Sequence, residues 1–288
     1  MAWSLVCPAS RGIGFQLTRR LLETTHLPVV ATARTDADKV KRSILDDLKD
    51  VDEKRLTVLE VDVTSTWYTF QFHAFLLTSF ILTCYLDEDS IQRAADKAES
   101  LFPPSKNHLH LAFCIPGILY PEKSPSQLDQ KQMQETFSVN TIGPLLLSKH
   151  FTPFLPKKST KLSSFQLSES DTLPKQAVWL NMAARVGSTS DNSLGGWYSY
   201  RASKAGVYSI TKTLDLYLKT RSGENAVAIA YHPGTVKTGL SKEFWSSVKP
   251  EKLFGVEDAV EKMMKVVQGT SVEQRGRCWD WKGEEIKP

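Results

Sequence analysis

At 288 residues, with 41% hydrophobic and 24% charged side chains, the chain has the makeup of a globular protein able to bury a sizeable core. The net charge of +4 is modest, and the densest basic piece, Lys157-Lys158 to Lys161, lies among serines, which argues against a nucleic-acid groove. Four scattered cysteines, Cys7, Cys84, Cys114 and Cys278, form no CxxC pair and no His/Cys cluster, so no metal and no disulfide framework is expected, and reduced thiols in a cytoplasmic setting fit.

The N-terminus shows no basic stretch followed by a long apolar core, so no signal peptide is read. Trp3 to Cys7 is a short apolar run, expected as a buried parallel strand. Pro8-Ala9-Ser10-Arg11-Gly12-Ile13-Gly14 follows, then Phe15 to Leu22 with helical apolar spacing. A strand, a small-residue turn and a helix suit a dinucleotide. Glycines let the backbone approach a pyrophosphate, which rests on the free N–H groups of the first helical turn. Residues 28–33 predict a second strand. At its end a carboxylate would bind the ribose 2′-hydroxyl of NAD, whereas a cation would accommodate the 2′-phosphate of NADP. Arg34 stands there, with Arg11 in the turn opposite, and the pair points to NADP(H); the alternative for Arg34 is a plain surface charge. Asp36 and Asp38 read as helix-cap residues.

The turn resembles the TGxxxGxG turn of the short-chain dehydrogenase/reductases, with Pro8 where the family has its first glycine and with Gly12 and Gly14 in place. The resemblance implies that Ser10, Arg11, Gly12, Ile13 and Gly14 hold the cofactor. A polar helix, Ala37 to Leu48, leads to a third strand, Leu56 to Val63. Asp62 and Val63 are similar to the family's adenine-contacting pair: the carboxylate accepts from the exocyclic amine and the apolar residue packs on the ring.

From Val63 to Leu86 no side chain carries a formal charge, and the run is long enough for a membrane span of about 20 residues. A span would put the two halves of one sheet on opposite sides of a bilayer. Deleting Ser65 to Leu86 joins a normal strand end to a capped helix running through Leu101. Three readings of residues 65–86 stand: a translated insertion without function, the size of a short unspliced intron; a surface helix packed on this molecule or a partner; or a membrane-contacting segment. His73 reads as an incidental member of the run.

His108 to Ile115 predicts a fourth strand, with His108 and His110 on one face as strand-edge polar residues. Cys114-Ile115-Pro116-Gly117 stands where the family has NNAG; Gly117 is kept, so backbone contacts to the cofactor are implied and the bracing must come from elsewhere. Gln127 to Phe151 reads as one long helix with a bend at Gly143-Pro144. Asn140 falls on the family's V-N, implied to hold a water that links the catalytic lysine to solvent; a buried structural asparagine is the other reading. Pro156 to Pro174 reads as a Ser/Lys-rich loop and Ala177 to Met182 as the fifth strand. The family's catalytic serine falls at Ala184, and Ser188 lies twelve residues before Tyr200.

Tyr200 and Lys204 sit four residues apart in Gly195 to Gly206, which stacks both on one helix face. A phenol beside a held ammonium is a proton donor tuned downward in pKa. After that helix, Ala226 to Tyr231 predicts the sixth strand. Pro233-Gly234-Thr235-Val236-Lys237-Thr238 resembles the family's PGxVxT, which implies that Pro233, Gly234, Val236 and Thr238 fix the nicotinamide end. His232 reads as packed at a strand end. Residues 239–254 correspond to the family's variable substrate lid; Phe244, Trp245, Leu253 and Phe254 there suit an apolar pocket or core packing equally. Val256 to Val267 is a last amphipathic helix and Arg277 to Trp281 the final strand.

The expectation is a single doubly wound α/β Rossmann domain over residues 1–288, with a parallel sheet of about seven strands and helices on both faces. The resemblance, strongest to the C-factor-like, carbonyl-reductase-like branch, implies NADP(H)-dependent carbonyl reduction or alcohol oxidation. In it Tyr200 is general acid/base, Lys204 lowers its pKa and holds the nicotinamide ribose, and Asn140 supports the proton path. The expected partner is a small carbonyl or alcohol; homo-oligomers are compatible. The rival is a non-catalytic NADP-binding relative acting as a redox sensor or interaction protein.

Overall fold

The computed structural model describes residues 1–71, 80–162 and 173–288. His73 and much of the Ser/Lys-rich loop lie outside the described residues. The strands are β1 (Ala2–Cys7), β2 (Val29–Ala33), β3 (Leu56–Glu60), β4 (Ser65–Gln71), β5 (Phe80–Leu86), β6 (His108–Cys114), β7 (Ala177–Met182), β8 (Ala226–His232), β9 (Thr235–Val236), β10 (Leu253–Phe254), β11 (Cys278–Asp280) and β12 (Glu285–Ile286). The helices are α1 (Gly12–Thr24), α2 (Ala37–Leu45), α3 (Glu88–Leu101), α4 (Gln130–Phe137), α5 (Gly143–Phe151), α6 (Tyr198–Arg221) and α7 (Val256–Gln268).

The central sheet has eight strands in the order β12-β11-β8-β7-β6-β1-β2-β3. Seven run parallel, and β12 folds back antiparallel on β11, which adds one strand to the expected count. The inner strands β1, β2 and β6 are buried at every position, because helices cover both faces; hence their continuous apolar runs. One core packs Trp3, Phe102, Phe151 and Trp179 under α3, α5 and α6, and the other packs Leu17, Leu21, Phe113 and Met263 under α1 and α7.

His108 and His110 depart from the strand-edge reading. They are 3% and 1% exposed, with His108 Nε2 lying 3.3 Å from His110 Nδ1 and His110 Nε2 lying 2.9 Å from the Pro174 carbonyl oxygen. Burial pushes both imidazoles down, to about 3 and about 4.

The helix reading of residues 65–86 is overturned. β4 and β5 pair antiparallel, Ser65 opposite Leu86 and Gln71 opposite Phe80, in a two-stranded sheet of their own. The physical reason lies in composition: Thr, Tyr, Trp, Phe and Ile dominate these segments, and branched or aromatic side chains favour strands. Among the described residues no helix is long and apolar enough to cross a membrane.

The helix break also moves. Ser138–Ile142 forms a π-helical turn between α4 and α5, ahead of Gly143-Pro144. Pro144 has no N–H for the Asn140 carbonyl, so the α-helical ladder cannot continue through it. The wider turn, closed by the Gly143 N–H on the Ser138 carbonyl, absorbs the defect one turn earlier.

Candidate active site

The strand order reverses at β1, which has β2 on one side and β6 on the other. At such a point the loops leaving the two strands part, and a crevice opens at the C-terminal strand ends. The Pro8–Gly14 turn follows β1, and the loop with Gly117 follows β6.

The turn closes tightly on α1. A Cβ on Gly14 would stand 1.9 Å from the Pro8 carbonyl oxygen, so only glycine fits. A Cβ on Gly12 would stand 3.4 Å from Thr238 Cγ2, so the turn meets the Pro233–Thr238 segment across the crevice. Ser10 and Arg11 are exposed, and Ile13 is half-buried. The start of α1 is bare: Arg11, at the N-cap, makes no side-chain bond to the first turn, and no acid lies there. By contrast, Asp87 caps α3 through the Ser90 N–H and Asp129 caps α4 through the Gln132 N–H. The orphan N–H groups of α1 suit a phosphate.

Arg34 follows β2 and is exposed. Asp36 takes the N-cap position of α2, but its carboxylate makes no cap bond, so the expected cap exists in place and not in bonding. Asp38 lies in the first turn. Asp62 Oδ1 accepts from the Thr64 N–H at 2.8 Å and the Thr64 hydroxyl at 2.5 Å. Val63 packs against the end of the π turn, where a Cβ on Gly143 would stand 3.2 Å from Val63 Cβ.

Asn140 supplies the bracing that the missing NNAG asparagines leave open. Its Oδ1 accepts from the Ile118 N–H at 2.9 Å, and its Nδ2 donates to the Ile118 carbonyl at 2.9 Å and to Ser203 Oγ at 3.0 Å. The side chain therefore ties the loop after β6 to α6. Lys204 reaches the same place. Its Nζ donates to the Met182 carbonyl at 2.8 Å, and a Cβ on Gly117 would stand 3.7 Å from Nζ and 3.9 Å from Asn140 Oδ1.

Lys204 Nζ lies 5.9 Å from the centre of the Tyr200 ring. The expected downward tuning of the phenol is absent here. Burial pushes Tyr200 up to about 12, and it pushes Lys204 down to about 8. The reason is geometric: the ammonium faces Met182, both groups are nearly sealed from water, and desolvation outweighs their mutual field.

Ala184 begins the turn before Gly187, and its carbonyl accepts from the Tyr208 hydroxyl at 3.2 Å. A Cβ on Gly187 would stand 2.6 Å from the Lys204 carbonyl carbon, so this turn lies directly on α6. Ser188 is 1% exposed and its Oγ accepts from the Asp191 N–H, which commits it to its own turn. In the 239–254 segment the aromatics divide. Phe254 is buried and packs on Trp281 with ring centres 4.7 Å apart. Phe244 instead packs on Trp197 at 4.8 Å, and Trp197 sets its edge to Tyr200 at 6.1 Å. Val236 is buried, packed with Phe254, its register partner in β10, and Ala259. His232 ends β8 with its Nδ1 buried and unpartnered among the described residues. Two contributors lack any local sequence signal as site residues: Trp197, and Glu122, whose partner Ser199 lies 77 residues on.

Fold and site together define a doubly wound α/β protein of the dinucleotide-fold class. No family model matches the chain. In sequence it is 26% identical to C-signal of Myxococcus xanthus over 159 residues, covering 55% of this chain and 80% of that protein. It is also 26% identical to the short-chain dehydrogenase srdF of Neurospora crassa over 208 residues, covering 70% and 74%. In fold it is similar to the NADPH-bound carbonyl reductase from chicken fatty liver, with a TM-score of 0.73 at 24% identity, over 99% of this chain and 98% of that one. In motif order, sequence relatives and fold the chain is similar to the short-chain dehydrogenases/reductases.

Proposed function

We propose that the chain is an NADP(H)-dependent oxidoreductase that reduces a small carbonyl compound or oxidises the corresponding alcohol. The observation that carries this reading is the convergence of Lys204 and Asn140 on Gly117, with Tyr200 one helical turn away, beside the crevice where the Gly12 turn meets Thr238. The residues fit the cofactor. Lys204 is 1% exposed and, among the described residues, has one acceptor for three N–H donors, so ribose hydroxyls would complete it. Ser10 to Gly14 and the bare start of α1 would hold the pyrophosphate, Arg11 and Arg34 the 2′-phosphate, Asp62 and Val63 the adenine, and Gly117 with Pro233, Gly234, Val236 and Thr238 the nicotinamide end. A reduced nicotinamide supplies hydride when bound there.

Tyr200 Oη gives its proton to the carbonyl oxygen, or takes one from the alcohol in reverse. A phenol near 12 needs help, and Lys204 supplies it by turning from Met182 once ribose hydroxyls compete for its protons. Asn140 holds the Gly117 loop against α6 and keeps Lys204 and Tyr200 in one frame. Phe244 and Trp197 wall the site with apolar surface and exclude water. Self-association is compatible with this reading and is not required by it.

NADPH consumption over a panel of aldehydes, ketones and quinones tests the reading, with NADPH fluorescence titration as the binding control. Tyr200→Phe should lower turnover about 10²–10⁴-fold and leave NADPH binding intact. Full activity in that variant would end the proposed role of Tyr200. One observation favours the rival: Ala184 carries no hydroxyl, and Ser188 Oγ is held in its own turn. Cofactor binding without turnover of any panel member would select a non-catalytic NADP-binding protein.

A further inference from the structure

Helix α6 starts without a capping side chain of its own. Its N-cap is Trp197, at φ +50, and the indole makes no bond to the first turn. An N-terminus left so has orphaned N–H groups, and its third residue is Tyr200.

The missing acceptor comes from the connection between β6 and α4. Glu122 is 2% exposed there. Its Oε2 accepts from the Ser199 N–H at 3.2 Å, and its Oε1 accepts from the Ser199 hydroxyl. Its carbonyl oxygen accepts from the Trp197 N–H at 2.6 Å. One residue therefore holds positions 197 and 199, and a carboxylate at a helix N-terminus also meets the positive end of the dipole. Arg201 fastens the other side, donating from Nε to the Gly196 carbonyl at 2.9 Å and from Nη1 to the Val186 carbonyl at 3.1 Å. The Tyr200 hydroxyl has no hydrogen-bond partner among the described residues, so its neighbours set where it points.

We propose that Glu122 is a positioning residue for Tyr200: by capping α6 from another loop it fixes the direction in which the phenol presents its proton. This rests on the reading of Tyr200 as the proton donor. Glu122 touches neither substrate nor cofactor in this scheme. The backbone carbonyl of the same residue holds Trp197, whose ring borders both Tyr200 and Phe244, so the wall and the donor share Glu122 as anchor.

The test compares Glu122→Ala, Glu122→Gln and Ser199→Ala with wild type, using the full chain. Glu122→Ala should lower kcat about tenfold or more while the Kd for NADPH, read by fluorescence titration, stays within about twofold. Glu122→Gln keeps an acceptor for the Ser199 N–H and should recover most of that loss. Ser199→Ala, which removes only the hydroxyl, should lower kcat by a smaller factor, and it carries the test if Glu122→Ala does not fold. Hydrogen exchange at amides 199–203 should quicken in Glu122→Ala and stay slow in Glu122→Gln, with the rest of α6 unchanged. Wild-type kcat and wild-type exchange in Glu122→Ala would overturn the proposal, as would a Gln variant as impaired as the Ala variant. If wild type turns over nothing, the oxidoreductase reading fails by itself, and the exchange rates still decide whether Glu122 orders this turn.

Discussion

Lys204 shows what a single buried charge does to this protein. Its side chain is 1% exposed, its ammonium donates to the Met182 carbonyl, and burial lowers it to about 8. An unfolded lysine titrates near 10.4. From about pH 8 to about 10.4 the unfolded chain therefore holds a proton that the folded chain has released, and this group makes stability rise with pH across that window. Below pH 8 both states are protonated and the burial penalty is felt in full. Lys204→Met should thus raise the urea midpoint at pH 7, flatten the rise between pH 7 and 9.5, and abolish turnover, an exchange of function for stability. Urea titrations of both proteins at the two pH values check it. At the opposite end of the crevice, Arg34→Ala should weaken NADPH binding by about 1.5–3 kcal/mol, the worth of a charge-assisted hydrogen bond, or about tenfold to a hundredfold in Kd. NADH binding should change little, and parallel fluorescence titrations with the two cofactors measure the difference.

Among the elements, those with a local cause could be read from sequence. The parallel strands announced themselves as apolar runs because helices cover both their faces, and the Gly14 turn was legible because a close approach demands a missing side chain. Gly14→Ala would drive a Cβ to 1.9 Å from the Pro8 carbonyl. It should cost at least about 2 kcal/mol by urea unfolding and lose NADPH binding as the turn shifts. Elements whose cause lies elsewhere in the chain were not legible. Pro144 is plain in sequence, but the turn it forces appears earlier, at Ser138–Ile142, where Asn140 can bridge Ile118 and Ser203. The Tyr200–Lys204 spacing gave a shared helix face, yet not the orientation of the ammonium toward Met182, which depends on where β7 ends. Glu122 was silent for the same reason, since its role exists only once α6 arrives beside it.

For the molecule as a whole, cofactor and fold should support each other, because the crevice joins loops from both halves of the sheet at Gly12, Gly117 and Thr238. NADPH at a hundred times its Kd should stabilise the folded chain by about 2.7 kcal/mol, visible as a rise in melting temperature that Arg34→Ala diminishes at fixed concentration. The paired segments β4 and β5 form a sheet separate from the eight-stranded one. Their outer ends, Ser65 and Leu86, are register partners, so the main domain departs and resumes at neighbouring points. Partners in an antiparallel ladder have α-carbons about 4.5–5.5 Å apart, close to the span of one peptide link. The arm is thus a cassette: an unrelated hairpin of similar reach, transplanted between Thr64 and Asp87, should yield a chimera that melts and titrates with NADPH like its parent.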